Sequence, residues 1–203
     1  MSIKNNSKDR RIIKSKNALK EALISLMNTK DFKEITITDI VQIADLNRGT
    51  FYKHYQYKED ILEEIIDDVI THLIDSYRKP YKDKETFDVS QLSSNAIHIF
   101  DHVLTYSNFY SLIVQSNVLS GFHHKIYKVI KDLILHDLTD YISTHTINKE
   151  LLASYHSYAI MGIIIEWIEN DFKYSSNYMA EQLLFIVKMD RNNLFSNQGI
   201  IDN

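Results

Sequence analysis

The sequence contains no cysteine. That excludes a disulfide framework, a thiolate metal site and a cysteine nucleophile, and it fits a chain that works in a reducing compartment. Proline occurs once and glycine four times in 203 residues. Helices therefore have few places where they must break, and strands joined by tight turns lack the Gly, Asn-Gly or Pro punctuation they need. The longest apolar run, Ala159 to Ile165, falls far short of the roughly 20 residues that cross a bilayer. The basic N-terminus, MSIKNNSKDRRIIKSKN, leads into no apolar segment with a small-residue cleavage site. A cytoplasmic protein with no membrane partner is the expectation. Also missing are a Gly-x-Ser-x-Gly elbow, a phosphate-binding glycine loop and a His-Glu-x-x-His pair. The chain is accordingly expected not to be an enzyme and to carry no cofactor.

What is present is a substantial apolar fraction, 44%, and an uneven charge. Up to Asp60 the chain has 12 Lys/Arg against 8 Asp/Glu, and beyond it 11 against 19. A basic first third on an acidic remainder points to a polyanion that meets only the N-terminal part; chance clustering of surface charge is the competing reading. The expected fold is all-α: an N-terminal three-helix helix-turn-helix domain followed by a C-terminal helical bundle, about nine helices in all. Expected divisions are a flexible basic arm at 1–8, the helix-turn-helix domain at 9–57, a linking helix at 58–80, an effector and dimerisation domain at 81–190, and a polar tail at 191–203.

From about Asp9, Ile13, Ala18, Leu19, Ala22, Leu23, Leu26 and Met27 fall at three- and four-residue steps, one stripe of a helix ending near Thr29. Thr36-Ile37-Thr38-Asp39 matches a capping box, so a second helix starts there and runs to about Ala44 with Ile37, Ile40, Ile43 and Ala44 inward. Asp45-Leu46-Asn47 makes the turn: Asp45 tolerates a left-handed backbone, Leu46 anchors the corner, and Asn47 can cap the next helix. That third helix, about Arg48 to Tyr55, buries Phe51 and Tyr55 and carries Arg48, Gly49, Thr50, Tyr52, Lys53 and His54 outward. Arg can fork onto guanine, Thr can meet a thymine methyl, and Tyr, Lys and His can donate to phosphates. Lys58, opening the fourth helix, is expected to hold one more phosphate.

The run ITITDIVQIADLNRGTFYKHYQYKEDIL resembles the N-terminal DNA-binding domain of TetR-type transcriptional regulators, with Thr50-Phe51-Tyr52-Lys53-His54-Tyr55 fitting the recognition helix position by position. Asp45 departs from the pattern, which usually has Gly there. The resemblance implies DNA-facing roles for Thr36, Thr38, Arg48, Gly49, Thr50, Tyr52, Lys53, His54 and Lys58. Of these Thr38, Arg48, Thr50 and Lys53 suit base edges, and Tyr52, His54 and Lys58 suit the backbone.

The fourth helix carries apolar residues in adjacent pairs from Ile61 to Ile74, a wide stripe that makes it the expected mechanical link, ending at a boundary around Pro80. Five further helices are expected: Ser90–Tyr106, Asn108–Asn117, Gly121–Thr144, Lys149–Phe172 and Ser176–Met189. The last two carry more apolar surface than one neighbour covers. A homodimer that pairs them with their symmetry mates is expected, with Tyr155, Ala159, Gly162, Ile163, Leu183, Leu184 and Val187 at the interface; an entirely intramolecular core is the alternative. Phe100, Tyr106, Phe109, Tyr110, Tyr127, Tyr155, Tyr158 and Trp167 are candidate walls of a pocket for a small-molecule effector, the bland alternative being ordinary core. His98, Asp101 and His102 have helical spacing, but no metal site is expected.

The functional expectation is a repressor that binds a palindromic double-stranded DNA operator as a homodimer and is released by an effector in the C-terminal domain. The alternative is a DNA-binding dimer controlled by a protein partner, without a small-molecule inducer.

Overall fold

In the computed structural model, which describes residues 3–79, 93–94, 97–115, 120–137 and 148–196, the described residues form nine α-helices and no strand. They fall into two compact units, one made of the chain up to Val69 together with Gln115 and one of Ile70–Val114 with the chain from Ser120.

The first unit begins with α1, Ile3–Met27. Its helical part starts six residues before the apolar stripe does, so residues 3–8, expected as a flexible arm, are helical. Extending a nucleated helix through Lys, Ser, Asp and Arg costs little per residue, and no proline or glycine interrupts it. Leu19, Ala22 and Leu23 are buried while Ile13, expected inward, is 58% exposed. A 3-10 turn at Phe32–Glu34 leads to α2, Ile37–Ile43. Ile40 and Val41 are buried and Ile43 is 57% exposed, which corrects the expected inward face. With the buried stripe centred between positions 40 and 41 and extending to 44, position 43 lies about 110° away around a 100°-per-residue helix. Helix α3 is Arg48–Tyr52 and α4 is Lys58–Arg78. Helices α1, α2 and α3 pack successively on one another, and α4 supplies the buried Ile61, Ile65 and Val69.

The second unit holds the rest of α4 with α5, Ile99–Thr105, α6, Ser107–Gln115, α7, Ser120–Asp137, α8, Lys149–Glu169, and α9, Ser176–Ser196. Helix α7 packs on α8 and α5 on α9. The core is Phe100, Val103, Phe109, Phe122, Ile126, Ile130, Ile164 and Trp167. Helix α5 is far shorter than expected, since Ile97 and His98 are not helical. Helix α9 continues past Met189 and takes in the first part of the segment expected as a tail. The boundary at Pro80, the expected helix start with Leu92 and Ala96, the C-terminal ends of the helices expected to reach Asn117 and Thr144, and the tail beyond 196 lie outside the described residues.

Helix α8 stops at Glu169, three residues before the expected end. Asp171 and Phe172 take φ of 50° and 53°, and the Phe172 N–H returns to the Trp167 carbonyl at 3.0 Å. A phenylalanine pays for a left-handed backbone. Its ring packs edge-on to Trp167 with centroids 5.1 Å apart, and the Trp167 indole donates to the Tyr174 carbonyl at 3.0 Å. Among the described residues α8 is the one helix long and apolar enough by composition to cross a membrane; its Ala153, Ser157, Met161, Ile164, Trp167 and Ile168 are buried in the second unit.

Candidate nucleic-acid interface

The interface is built from two capped helix starts and one left-handed residue. Thr36 caps α2: its hydroxyl accepts from the Asp39 N–H at 3.2 Å and donates to the Asp39 carboxylate at 2.9 Å, which also accepts from the Thr36 N–H at 2.9 Å. Lys30 reaches the same carboxylate at 3.2 Å. The hydrogen bond from the Thr36 backbone, then the Thr36 hydroxyl and Lys30, hold the Asp39 carboxyl below its usual range. Thr36 has thereby committed its only hydroxyl proton to the cap that fixes where α2 begins.

Helix α2 ends in a Schellman arrangement. The Leu46 N–H bonds to the Val41 carbonyl at 2.9 Å and the Asp45 N–H to the Gln42 carbonyl at 3.3 Å, with Asp45 at φ 52°. Asp45 adopts the backbone that glycine takes more cheaply, as the sequence reading anticipates. Asn47 then caps α3, its Oδ1 accepting from the Thr50 N–H at 2.8 Å and the Thr50 hydroxyl at 3.1 Å. A Cβ at Gly49 would stand 3.2 Å from that same Oδ1, so glycine here protects the cap.

Phe51 is fully buried and Tyr55 nearly so, with ring centroids 6.0 Å apart. They anchor α3 and leave its other side outward: Arg48, Gly49 and Lys53 are exposed, as is Thr38 on α2, Tyr52 is 56% exposed, and Thr50 and His54 are half-buried. Arg48 and Lys53 form no hydrogen bond or ion pair among the described residues. Two flexible cations and a tyrosine thus share one exposed, short helical surface, the composition that forks onto guanine edges and phosphate oxygens.

Lys58 does something else. Its ammonium donates to the carbonyls of Phe32 at 2.6 Å, Ile35 at 2.7 Å and Lys33 at 3.3 Å, and lies 4.6 Å from the centre of the Phe32 ring. All three N–H donors are used. Lys58 is therefore a tie between the start of α4 and the turn before α2, and the expected phosphate contact would draw on an ammonium whose donors are already engaged. Asp60 completes the start of α4 by accepting from the Gln56 and Tyr57 N–H groups, both at 2.8 Å.

A second set of ties is not legible in the sequence because its members lie 44 to 48 residues apart. Lys16 meets Glu64 at 2.6 Å, and Lys20 meets Glu64 at 2.8 Å and Asp68 at 2.5 Å. Burial opposes both charges, but the paired groups outweigh it, holding Lys20 above and Glu64 below their ordinary values. Burial, then the neighbouring Glu64 and Asp68 charges, push the Tyr55 hydroxyl up. The ammonium of Lys16 sits 5.2 Å from the Tyr55 ring centre. Helix α1 is thus fixed to α4 along the edge next to the end of α3.

With this geometry in view, the comparisons decide the family. The description "Bacterial regulatory proteins, tetR family" matches residues 19–65, and "Transcriptional regulator C-terminal region", of TetR type, matches residues 90–189. The chain belongs to the TetR family of bacterial regulators. It is similar to the uncharacterized HTH-type transcriptional regulator YxbF of Bacillus subtilis (strain 168), 22% identical over 175 residues, 85% of this chain and 44% of that protein. The chain thus spans less than half the length of that relative. Among solved structures, a TetR transcriptional regulator from Streptococcus agalactiae 2603V matches with TM-score 0.56 at 21% identity, over 90% of this chain and 98% of that one. The dihydroxyacetone kinase operon activator DhaS matches with TM-score 0.61 at 20% identity, over 87% and 95%. Both share the fold, an N-terminal helix-turn-helix with a C-terminal helical domain. Both matched regions are those of DNA-binding transcriptional regulators of the TetR family.

In the second unit, the candidate effector walls separate. Phe100, Phe109, Tyr110 and Trp167 are buried and pack edge to face, Phe100 on Trp167 at 5.6 Å and Phe109 on Phe122 at 5.1 Å, as core does. Tyr155 and Tyr158 are 56% and 62% exposed, and Tyr158 stacks at 4.2 Å on the half-buried Tyr127. Tyr106 is half-buried, and its hydroxyl meets the His72 ring. His98 faces Asp101 at 3.3 Å whereas His102 turns to the Tyr110 hydroxyl at 3.0 Å, so the three helically spaced groups do not converge on one point. Burial, with the neighbouring His72, lowers the His102 pKa to about 4.

Of the expected dimer residues, Leu183 is buried in the second unit. Ala159, Ile163, Leu184 and Val187 are half-buried. The open surface runs one step to the side, through Leu151, Tyr155, Tyr158 and Gly162 on α8 and Phe185, Ile186 and Met189 on α9.

Proposed function

We propose that this regulator is a cytoplasmic homodimer that represses transcription by binding a roughly palindromic operator, and that an effector acting on the second unit releases it. The observation that supports the dimer is the open apolar surface on α8 and α9. Leu151, Tyr155, Tyr158 and Gly162 follow at steps of four, three and four, and Phe185 and Met189 stand out at 68% and 60% exposure. Paired with its symmetry mate, such a surface makes a four-helix interface. Two copies of α3 then address half-sites about 34–36 Å apart or a multiple of that. Arg48, Thr38, Thr50 and Lys53 are assigned to base edges, and Tyr52 and His54 to the backbone.

Release is a population shift: an effector that prefers the conformer with a different α4 tilt lowers DNA affinity by its differential binding energy. The core packing of Phe100, Phe109, Tyr110 and Trp167 favours a second reading, control by a protein partner. Sedimentation of the full chain tests the dimer, with Tyr158→Glu/Phe185→Glu as the disrupting variant. A monomeric wild type refutes it. A reporter gene behind a selected operator decides the sign of regulation. Release of DNA by a metabolite panel supports an effector, and release by a co-purifying protein supports the second reading.

A further inference from the structure

Helix α1 is 25 residues long, yet only its second half is held in the core of the first unit, hereafter the head. Leu19, Ala22 and Leu23 are buried, whereas every residue from Arg10 to Lys14 is exposed, Ile12 by 38% and Ile13 by 58%. The ion pairs give the direction of the free half. Lys20 reaches Asp68 and Glu64 while Lys16 reaches Glu64 and the Tyr55 ring, so α1 runs in the same direction as α4. At about 1.5 Å per residue, Arg10 is then level with Lys58, and the residues before it project roughly 10 Å past the α3–α4 turn.

This projecting half is the most basic stretch of the chain. Between Ile3 and Lys16 there are six Lys/Arg and one acidic residue. Lys4 with Lys8, and Arg10 with Lys14, are like-charged pairs four residues apart, an arrangement that disfavours the free helix and is relieved by a polyanion. Arg10 and Lys14 form no ion pair among the described residues. We propose that the N-terminal half of α1 is a second DNA contact, gripping phosphates of the duplex beside the half-site that α3 addresses. Lysine and arginine spaced along a helix suit phosphates, a contact that carries no sequence information but adds affinity and salt dependence.

The proposal rests on the chain's DNA binding, and the test separates the two. The full chain is titrated by fluorescence anisotropy onto a random-sequence duplex over a series of salt concentrations, alongside Lys8→Gln/Arg10→Gln/Lys14→Gln. A charge-matched control, Lys128→Gln/Lys149→Gln/Lys173→Gln, changes the second unit. The arm variant is expected to flatten the slope of log K against log salt by about 2 to 3 and to weaken binding roughly tenfold or more at 0.1 M salt. Its circular dichroism and thermal midpoint should match the wild type, because glutamine is a good helix former and the changed residues that the structure describes are exposed. The control should keep the wild-type slope. An arm variant with the wild-type slope, or a control that flattens equally, overturns the arm contact and leaves DNA binding standing. A wild type that binds no duplex at any salt overturns DNA binding itself.

Discussion

Replacing Lys58 by methionine keeps the aliphatic stem and removes only the ammonium. The change therefore tests what that charge is for. Two of its bonds, at 2.6 and 2.7 Å to the Phe32 and Ile35 carbonyls, are short and charge-assisted. Such bonds contribute about 1.5–3 kcal/mol each when fully enclosed. Here the site is half-buried, so water partly replaces the lost donor, and the third bond, 3.3 Å to Lys33, is weak. A local loss of about 2–3 kcal/mol follows, or a rise in exchange rate of roughly 30- to 150-fold. Hydrogen exchange read by mass spectrometry on peptides covering Phe32 to Ile43 is the assay, because it reports the head alone. The salt slope of DNA binding should stay as it is, measured where the variant remains folded. Unchanged exchange with a slope flattened by about 0.9 would show that Lys58 holds a phosphate and would refute the tie.

Asp45→Gly should stabilise the head by about 0.5–1 kcal/mol, since glycine takes a left-handed backbone without steric cost; a thermal midpoint that falls would show that the aspartate is preferred there. The ion pairs between α1 and α4 set a pH window. Glu64 is held below its ordinary value, so its contribution is full above about pH 4.3 and fades as pH falls through its folded value. Lys20 is held above, so its contribution is full below about pH 10.4 and fades as pH rises past that. Glu64→Gln should flatten the acid limb of head stability, read by exchange at pH 3 to 6. In the second unit, the neutral His102 resists protonation down to about 4, while the unfolded chain takes up its proton near 6.5. Stability should fall by about 2 kcal/mol between pH 7 and pH 5 on this account. Urea unfolding followed by Trp167 fluorescence should show that slope, and His102→Gln should lose it.

The parts legible in the sequence are those whose physics is local. A capping box needs residues three apart, a Schellman turn needs one residue that tolerates positive φ, and Asn47 caps a helix three residues on. Thr36, Asp39, Asp45 and Asn47 therefore appear in the structure as read. The tie made by Lys58 is not legible because the carbonyls it binds lie 23 to 26 residues away, and an exposed-looking lysine at a helix start carries no sign of them. A still longer separation, 44 to 48 residues, hides the pairs of Lys16 and Lys20 with Glu64 and Asp68. Ile13 and Ile43 face away from the expected side because a wide helical stripe marks its centre far better than its edges. Phe172 had no readable signal at all, since nothing in its neighbourhood announces that an aromatic residue will take a left-handed backbone.

The account's central claim is that α3 reads base edges with side chains left free for that purpose, and Arg48 is the sharpest case. A duplex selected from random sequence by the wild-type chain, and an unselected duplex of equal length, should be titrated with wild type and Arg48→Ala at one salt concentration. The expected result is a loss of about 1–3 kcal/mol on the selected duplex with little change on the unselected one. Equal losses on both would place Arg48 on the phosphates and contradict the claim.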